Sequence, residues 1–192
     1  MSLNILLVSD TMIKDRTAIH GKIDPKLLYP DIKIAQDMYI HPLLGSALYT
    51  KLQSLISTNT IAGAYKTLLD DFVADCLVYY TLTDLPTTIS YQFWNKGVVR
   101  KLGENTDLPS MSELVDLANK YKNRAEFYAN RLRLYLRQNA AEYFPEYINP
   151  GNGIDTIVPD GRSYSCPVYL GNEDVKKDRG YESWYQGDKP NC

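Results

Sequence analysis

Apolar residues recur at intervals of three and four along most of the first 147 positions, and beyond them the recurrence stops. Leu44, Leu48, Leu52 and Leu55 form one face of a helix that reaches about Ser57. A longer helix starts at Ile61, with Tyr65, Leu68, Leu69, Phe72, Cys76 and Tyr80 on its buried side, and is expected to stop at Leu85, before Pro86. The longest seam is Leu114, Ala118, Tyr121, Ala125, Tyr128, Leu132 and Tyr135, opened by the capping-box signature "SMSE" at Ser110 to Glu113. Nearer the start, "SDTMIKDRTAIHG" predicts a brief helix capped by Ser9 or Asp10 and ended before Gly21. Asp24-Pro25 and Pro30-Asp31 are two successive helix-start signals. Because proline lacks an N–H and clashes with the preceding turn, the main helix is placed from Pro30, with Ile32, Ala35, Met38 and Tyr39 as its apolar stripe.

His41 precedes a proline, which pushes its backbone away from the α region, so it is read as the end of that helix. Pro42 then opens the next helix, and Gly45 in its first turn permits a close approach of the preceding one. This makes His41 a corner residue; no Cys, Asp or second His lies at ligand spacing around it. The other histidine, His20, reads as an exposed turn residue beside Gly21. "ISYQFWNKGVVRKL" has two readings. Tyr91 to Trp94 and Val98-Val99 can form a small hairpin about Asn95-Lys96-Gly97, or Gly97 can cap a short helix from near Thr88. The fold class is therefore mainly α: a bundle of about four to five helices over residues 1–147, with a long extended C-terminal arm over residues 148–192.

That arm is rich in glycine and proline, yet Tyr164, Tyr169, Tyr181, Trp184 and Tyr185 are scattered through it. An idle disordered tail would be poor in aromatics, so the arm is expected to dock elsewhere, with Trp184 and Tyr185 as its anchors. Sixteen tyrosines against four phenylalanines lean the same way, since tyrosine suits half-buried surfaces and contacts between subunits.

Charge and chemistry change this picture little. A formal net charge of −2 announces no strongly basic face for nucleic acid or anionic membrane. The three cysteines, Cys76, Cys166 and Cys192, match neither a disulfide framework nor a zinc site and suit a reducing compartment. "MSLNILLVSD" lacks the basic start and long apolar run of a signal peptide, and no membrane span is expected. No phosphate loop, nucleophile motif or paired Cys-x-x-Cys occurs, so no cofactor and no enzymatic activity are expected. Asp70, Asp71 and Asp75 are the best carboxylate constellation, and Asp71 with Asp75 share a helix face that could take a divalent metal; an exposed acidic face is the plainer reading. Lys120, Lys122, Arg124, Arg131, Arg133 and Arg137 decorate the outer faces of the last helix.

Taken together, "IDPKLLYPDIKIAQDMYIHPLLGSALYTKL", "FWNKGVVRKL" and "LRLYLRQNAAEYFPEY" resemble the head–tail connector (adaptor) proteins of tailed phages, known especially as ring proteins of crAss-like phages. The resemblance spans about Ile19 to Tyr147; Pro42, Leu44 and Gly45 match the family's corner, and Asn95, Lys96 and Gly97 its turn. It implies a helical virion subunit of the neck, assembled in the host cytoplasm as a homo-oligomeric, dodecameric ring beneath the portal protein. Such a ring extends the channel for genome DNA without sequence-specific binding and gives further neck or tail ring proteins a platform. It implies neither enzyme nor cofactor nor membrane. Trp94, Lys96 and Tyr147 join Trp184 and Tyr185 as expected contact residues. The alternatives are a nucleic-acid-binding accessory protein using the basic last helix, and a metal-dependent hydrolase around Asp71 and Asp75.

Overall fold

Ser9 opens the first helix. Its hydroxyl accepts the Met12 N–H at 3.2 Å, and α1 runs Asp10–Arg16. Asp24 caps α2 (Pro25–Ala35) in the same way, accepting from Lys26 N at 3.0 Å. The computed structural model, which describes residues 5–95, 97–100, 109–151, 153 and 156–159, is mainly helical with one two-stranded hairpin. The compact unit holding these residues spans Met1–Gly161 and so takes in the proximal part of the segment read as the arm. The second unit, Arg162–Cys192, lies outside the described residues.

Three prolines expected to break helices do not break them. Pro30 lies inside α2, so the helix starts at Pro25 and not at Pro30. From Ala35 the chain continues without interruption through a π-helical segment, Gln36–Ile40, into α3 (His41–Leu44). His41 is itself right-handed helical (φ −57°, ψ −46°), and its N–H donates five residues back to Gln36 O, which corrects the corner placed there. The wider π turn makes room for the Pro42 ring against the preceding carbonyls, where a regular turn would clash. The path ends at Gly45, whose φ of +76° lets it close α3 and lead into α4 (Ser46–Ser57). The corner is therefore glycine's, one turn later than expected.

The π turn also re-registers the apolar stripe. Ile32 and Ala35 are buried as expected, but Met38 swings out to 59% exposure while Gln36 and Ile40 turn in. Gln36 is satisfied by Leu7 N at 2.8 Å, Ile5 O at 2.9 Å and Tyr49 OH at 2.6 Å, which ties the N-terminal segment to the core.

A second continuous path comprises α5 (Gly63–Thr67), a π-helical segment Leu68–Val73, and α6 (Ala74–Ser90). It passes through Pro86 rather than stopping at Leu85, because α6 is held on two sides: α2 and α7 (Met111–Tyr143) both pack along it. Tertiary packing outweighs the local penalty of the proline. Cys76 and Tyr79 face α7, with the thiol 3.9 Å from Ala125 O and the rings of Tyr79 and Tyr128 stacked at 5.2 Å. Tyr80 stacks on Tyr39 at 4.0 Å, and Thr88 donates to Asp31 of α2 at 3.1 Å.

The hairpin reading of "SYQFWNKGVVR" holds: β1 (Tyr91–Trp94) and β2 (Gly97–Arg100) pair antiparallel in the register Tyr91↔Arg100 to Trp94↔Gly97. The capping box also holds, with Glu113 N donating to Ser110 Oγ at 3.3 Å and Ser110 N to Glu113 Oε2 at 2.6 Å. On α7, Leu114, Ala125 and Leu132 are buried as expected, joined by Ala129, Leu136 and Ala140. Phe144 ends α7 and leads into α8 (Pro145–Ile148).

One core group carries a pH signature. Asp31 is only 5% exposed, and its Oδ2 finds no hydrogen-bond partner among the described residues. Burial raises its pKa, the Thr88 hydrogen bond opposes this, and the charge of Asp84 adds to it. A carboxyl whose folded pKa exceeds its unfolded value costs stability as pH rises through that interval, and the cost persists above it. Asp31→Asn keeps the Thr88 acceptor and removes the charge. It is expected to raise the melting midpoint by about 2–4 °C at pH 7 and to change it little near pH 3.5. An equal shift at both values, read by calorimetry, would count against a charged Asp31 at neutral pH.

Candidate functional site

The "HPLLGS" corner receives another part of the chain. Ser46 N donates to Ile157 O at 3.0 Å, and Ile157 N donates back to Ser46 Oγ at 2.9 Å. Pro159 lies against Gly45 so closely that a Cβ there would sit 2.5 Å from the proline Cγ. His41 completes the group: Nε2 is 3.0 Å from Ser46 Oγ, and its ring stacks on Tyr49 at 4.3 Å. Burial lowers the His41 pKa, Asp37 pulls it back up and Lys33 lowers it further, so the net direction favours the neutral ring. Neutral His41 can accept the serine hydroxyl on Nε2 while that oxygen accepts from Ile157. Behind it, burial above all pushes the Tyr49 hydroxyl up to about 12, and it donates to Asp37 at 2.9 Å. The corner is a structural clasp for residues 156–159.

The hairpin presents a second surface. Trp94 is 66% exposed and pairs with Gly97, which has no side chain to cover the indole. Neighbouring strand residues point to opposite faces, so exposed Val98 and Val99 put apolar surface on both. Of the other expected contact residues, Tyr147 is half-buried and packs against the core, its N–H donating to Phe144 O at 3.0 Å. Lys96, Trp184 and Tyr185 lie outside the described residues, as do Cys166 and Cys192. The structure therefore brings Trp94 to the surface and packs Tyr147 against the core.

The third surface is the outer face of α7. Arg131 lies over the Phe72 ring at 4.8 Å, and Arg124 lies between Tyr79 and Tyr121 at 6.0 and 5.9 Å from their centroids. Beside them, Asp70, Asp71 and Asp75 share a cleft with Arg16 and Arg131. Arg16 pairs with Asp75 at 2.7 Å and donates to Asp70 O at 3.2 Å, so a guanidinium already engages one of the two carboxylates weighed as metal ligands. Among the described residues no group of three or more His, Cys, Asp or Glu gathers in a metal-holding arrangement. No described helix is long and apolar enough to cross a membrane.

Sequence reasoning missed Ser46, Gln36 and Ile157. Ser46 sat unnoticed beside Gly45, and nothing local announces a partner 111 positions away. Several tyrosines pair inside the chain, among them Tyr39 with Tyr80 and Tyr79 with Tyr128.

Residues 40–157 match the model of a family of unknown function (DUF6712), and the chain belongs to that family. The match begins at the corner and ends at the residue that clasps it. No curated protein and no solved structure gives a match.

Proposed function

We propose that this DUF6712 protein is a structural assembly subunit, a ring adaptor of a tailed-phage neck that sits beneath the portal and offers the tail a platform. The observation that carries the reading is the hairpin. A two-stranded ribbon is marginal alone in water, and this one exposes Trp94, Val98 and Val99 on its two faces, which a partner surface would cover. The resemblance of the corner and turn segments to connector proteins supplies the particular setting. DNA passes through such a ring without being read, and the aromatic arm with Trp184 and Tyr185 holds a neighbouring subunit, portal or tail protein.

Trp94→Ala and Val98→Lys are expected to keep wild-type helical content while raising the concentration needed for ring formation by about tenfold or more, the effect of losing an aromatic hot spot. Light scattering and negative-stain imaging, with and without portal protein, read the result. Wild-type protein that forms no assembly in either setting would overturn the reading.

A nucleic-acid-binding accessory protein is the second reading. It rests on α7, where Lys120 to Arg137 holds six cations against the single carboxylate of Glu126. It requires a monomer whose DNA affinity falls steeply with salt.

A further inference from the structure

The clasp at the corner closes through a single hydroxyl. Ser46 Oγ accepts the Ile157 N–H at 2.9 Å and lies 3.0 Å from His41 Nε2, while Ser46 N donates to Ile157 O at 3.0 Å. With a neutral ring these bonds run in one direction: Ile157 donates to the hydroxyl, and the hydroxyl donates to Nε2. A proton on Nε2 reverses the second bond. Nε2 becomes a donor, Ser46 Oγ has to accept from two N–H groups, and its own hydrogen loses its acceptor. We propose that protonation of His41 opens the clasp, so that residues 156–159 leave the corner in mildly acidic solution while the helical body stays folded.

The groups around the ring decide which form the closed corner holds. Burial opposes the charge most, Asp37 favours it and Lys33 opposes it, and the balance lowers the His41 pKa below its ordinary 6.5. Asp37 is a weakened counter-ion, because Lys33 pairs with its Oδ1 at 2.6 Å and Tyr49 OH donates to the same oxygen at 2.9 Å. The Tyr49 ring, stacked on His41 at 4.3 Å, favours an imidazolium. Against it stands α4, whose first residue is Ser46 and whose N-terminus carries partial positive charge. Residues 156–159, Thr-Ile-Val-Pro, bring no ionisable side chain. The clasp is therefore fully stable above the ordinary histidine value of 6.5 and is lost as pH falls through the lower value of the closed state. Histidine is the side chain whose charge changes nearest to neutrality, so a modest acidification suffices. Upstream, Tyr147 of α8 packs against the core, so opening moves the hold on residues 149–159 back to α8.

The test is amide hydrogen exchange on the full-length protein at about pH 7.5 and about pH 5, either side of the histidine range, with each rate divided by the intrinsic rate of that amide at that pH. Protection of Ile157 and Ser46 should fall several-fold at the lower pH, with the centres of α6 and α7 unchanged. In His41→Gln the side-chain oxygen can accept the serine hydroxyl at either pH, so both amides should stay protected throughout; that variant keeps His20, which serves as the internal control. Wild-type protection that is the same at both values overturns the proposal. So does an equal fall in His41→Gln, which would assign the effect to another group, and so does a fall shared by α6 and α7, which would mean that the whole fold loosens. Should His41→Gln fail to fold, the His41 ring pKa read by NMR decides: a value below 6.5 that rises in Ser46→Ala supports the proposal, and any other outcome overturns it.

Discussion

Replacing Phe144 by alanine is expected to cost about 3–5 kcal/mol of folding stability, the range for emptying a buried aromatic site. Phe144 is fully buried where α7 hands over to α8. Its ring meets Tyr65 edge-on at 5.4 Å and lies 6.0 Å from Tyr135 and 6.4 Å from Tyr143. The rings around it are anchored elsewhere, Tyr65 by a 2.8 Å hydrogen bond to Glu146 and Tyr135 by stacking on Phe72 at 3.9 Å. They cannot readily collapse into the space left behind, so the cost should fall in the upper part of that range. For a chain of this size the melting midpoint should drop by about 10 °C. Tyr65→Phe, which removes only the hydroxyl, should cost about 1 kcal/mol. A fall of only a degree or two for Phe144→Ala would mean that these aromatic contacts do not form.

Gly45→Leu is expected to cost about 3 kcal/mol or more and to release the clasp. With φ at +76° and ψ at 159°, Gly45 occupies a region essentially reserved for glycine, and forcing another residue into it costs about 1–3 kcal/mol. The new Cβ would also collide with Pro159 and push away the pair of hydrogen bonds between Ser46 and Ile157. Amide exchange at Ile157 should therefore speed up more than exchange in the centre of α6 or α7. Gly21→Ala is the control, because Gly21 has open space and no left-handed backbone, and it should change little. If Gly45→Leu melts like wild type with Ile157 still protected, the corner is not the clasp described here.

These residues show where reading along the chain works. The seams of α4 and α7, the Ser110 capping box and the end of α1 before Gly21 follow from spacing and end signals within a turn or two. The errors came from proline. Pro30, Pro42 and Pro86 were each taken as a boundary because the penalty is local and visible, whereas what offsets it is not: packing of α2 and α7 along α6 for Pro30 and Pro86, and the widened turn before Pro42. The π segments were invisible for a related reason. A single widened turn leaves no composition mark, yet it moved Met38 from the core to the surface and Gln36 the other way. Of the candidate contact surfaces, Trp94 on its hairpin was legible. The clasp was not, because its two halves are joined only by the fold.

That clasp also sets an order of events. Chains emerge from the ribosome N-terminus first at about 5–20 residues per second, and domains begin folding as they emerge. Gly45 and Ser46 are made early, while Ile157 and Pro159 come only after both long helical paths and the hairpin. The corner therefore stays unfinished through most of synthesis and is sealed only once the helical body exists. A chain cut short before Ile157 lacks one half of the clasp, so the lock on this corner is made by the last stretch of the domain to leave the ribosome.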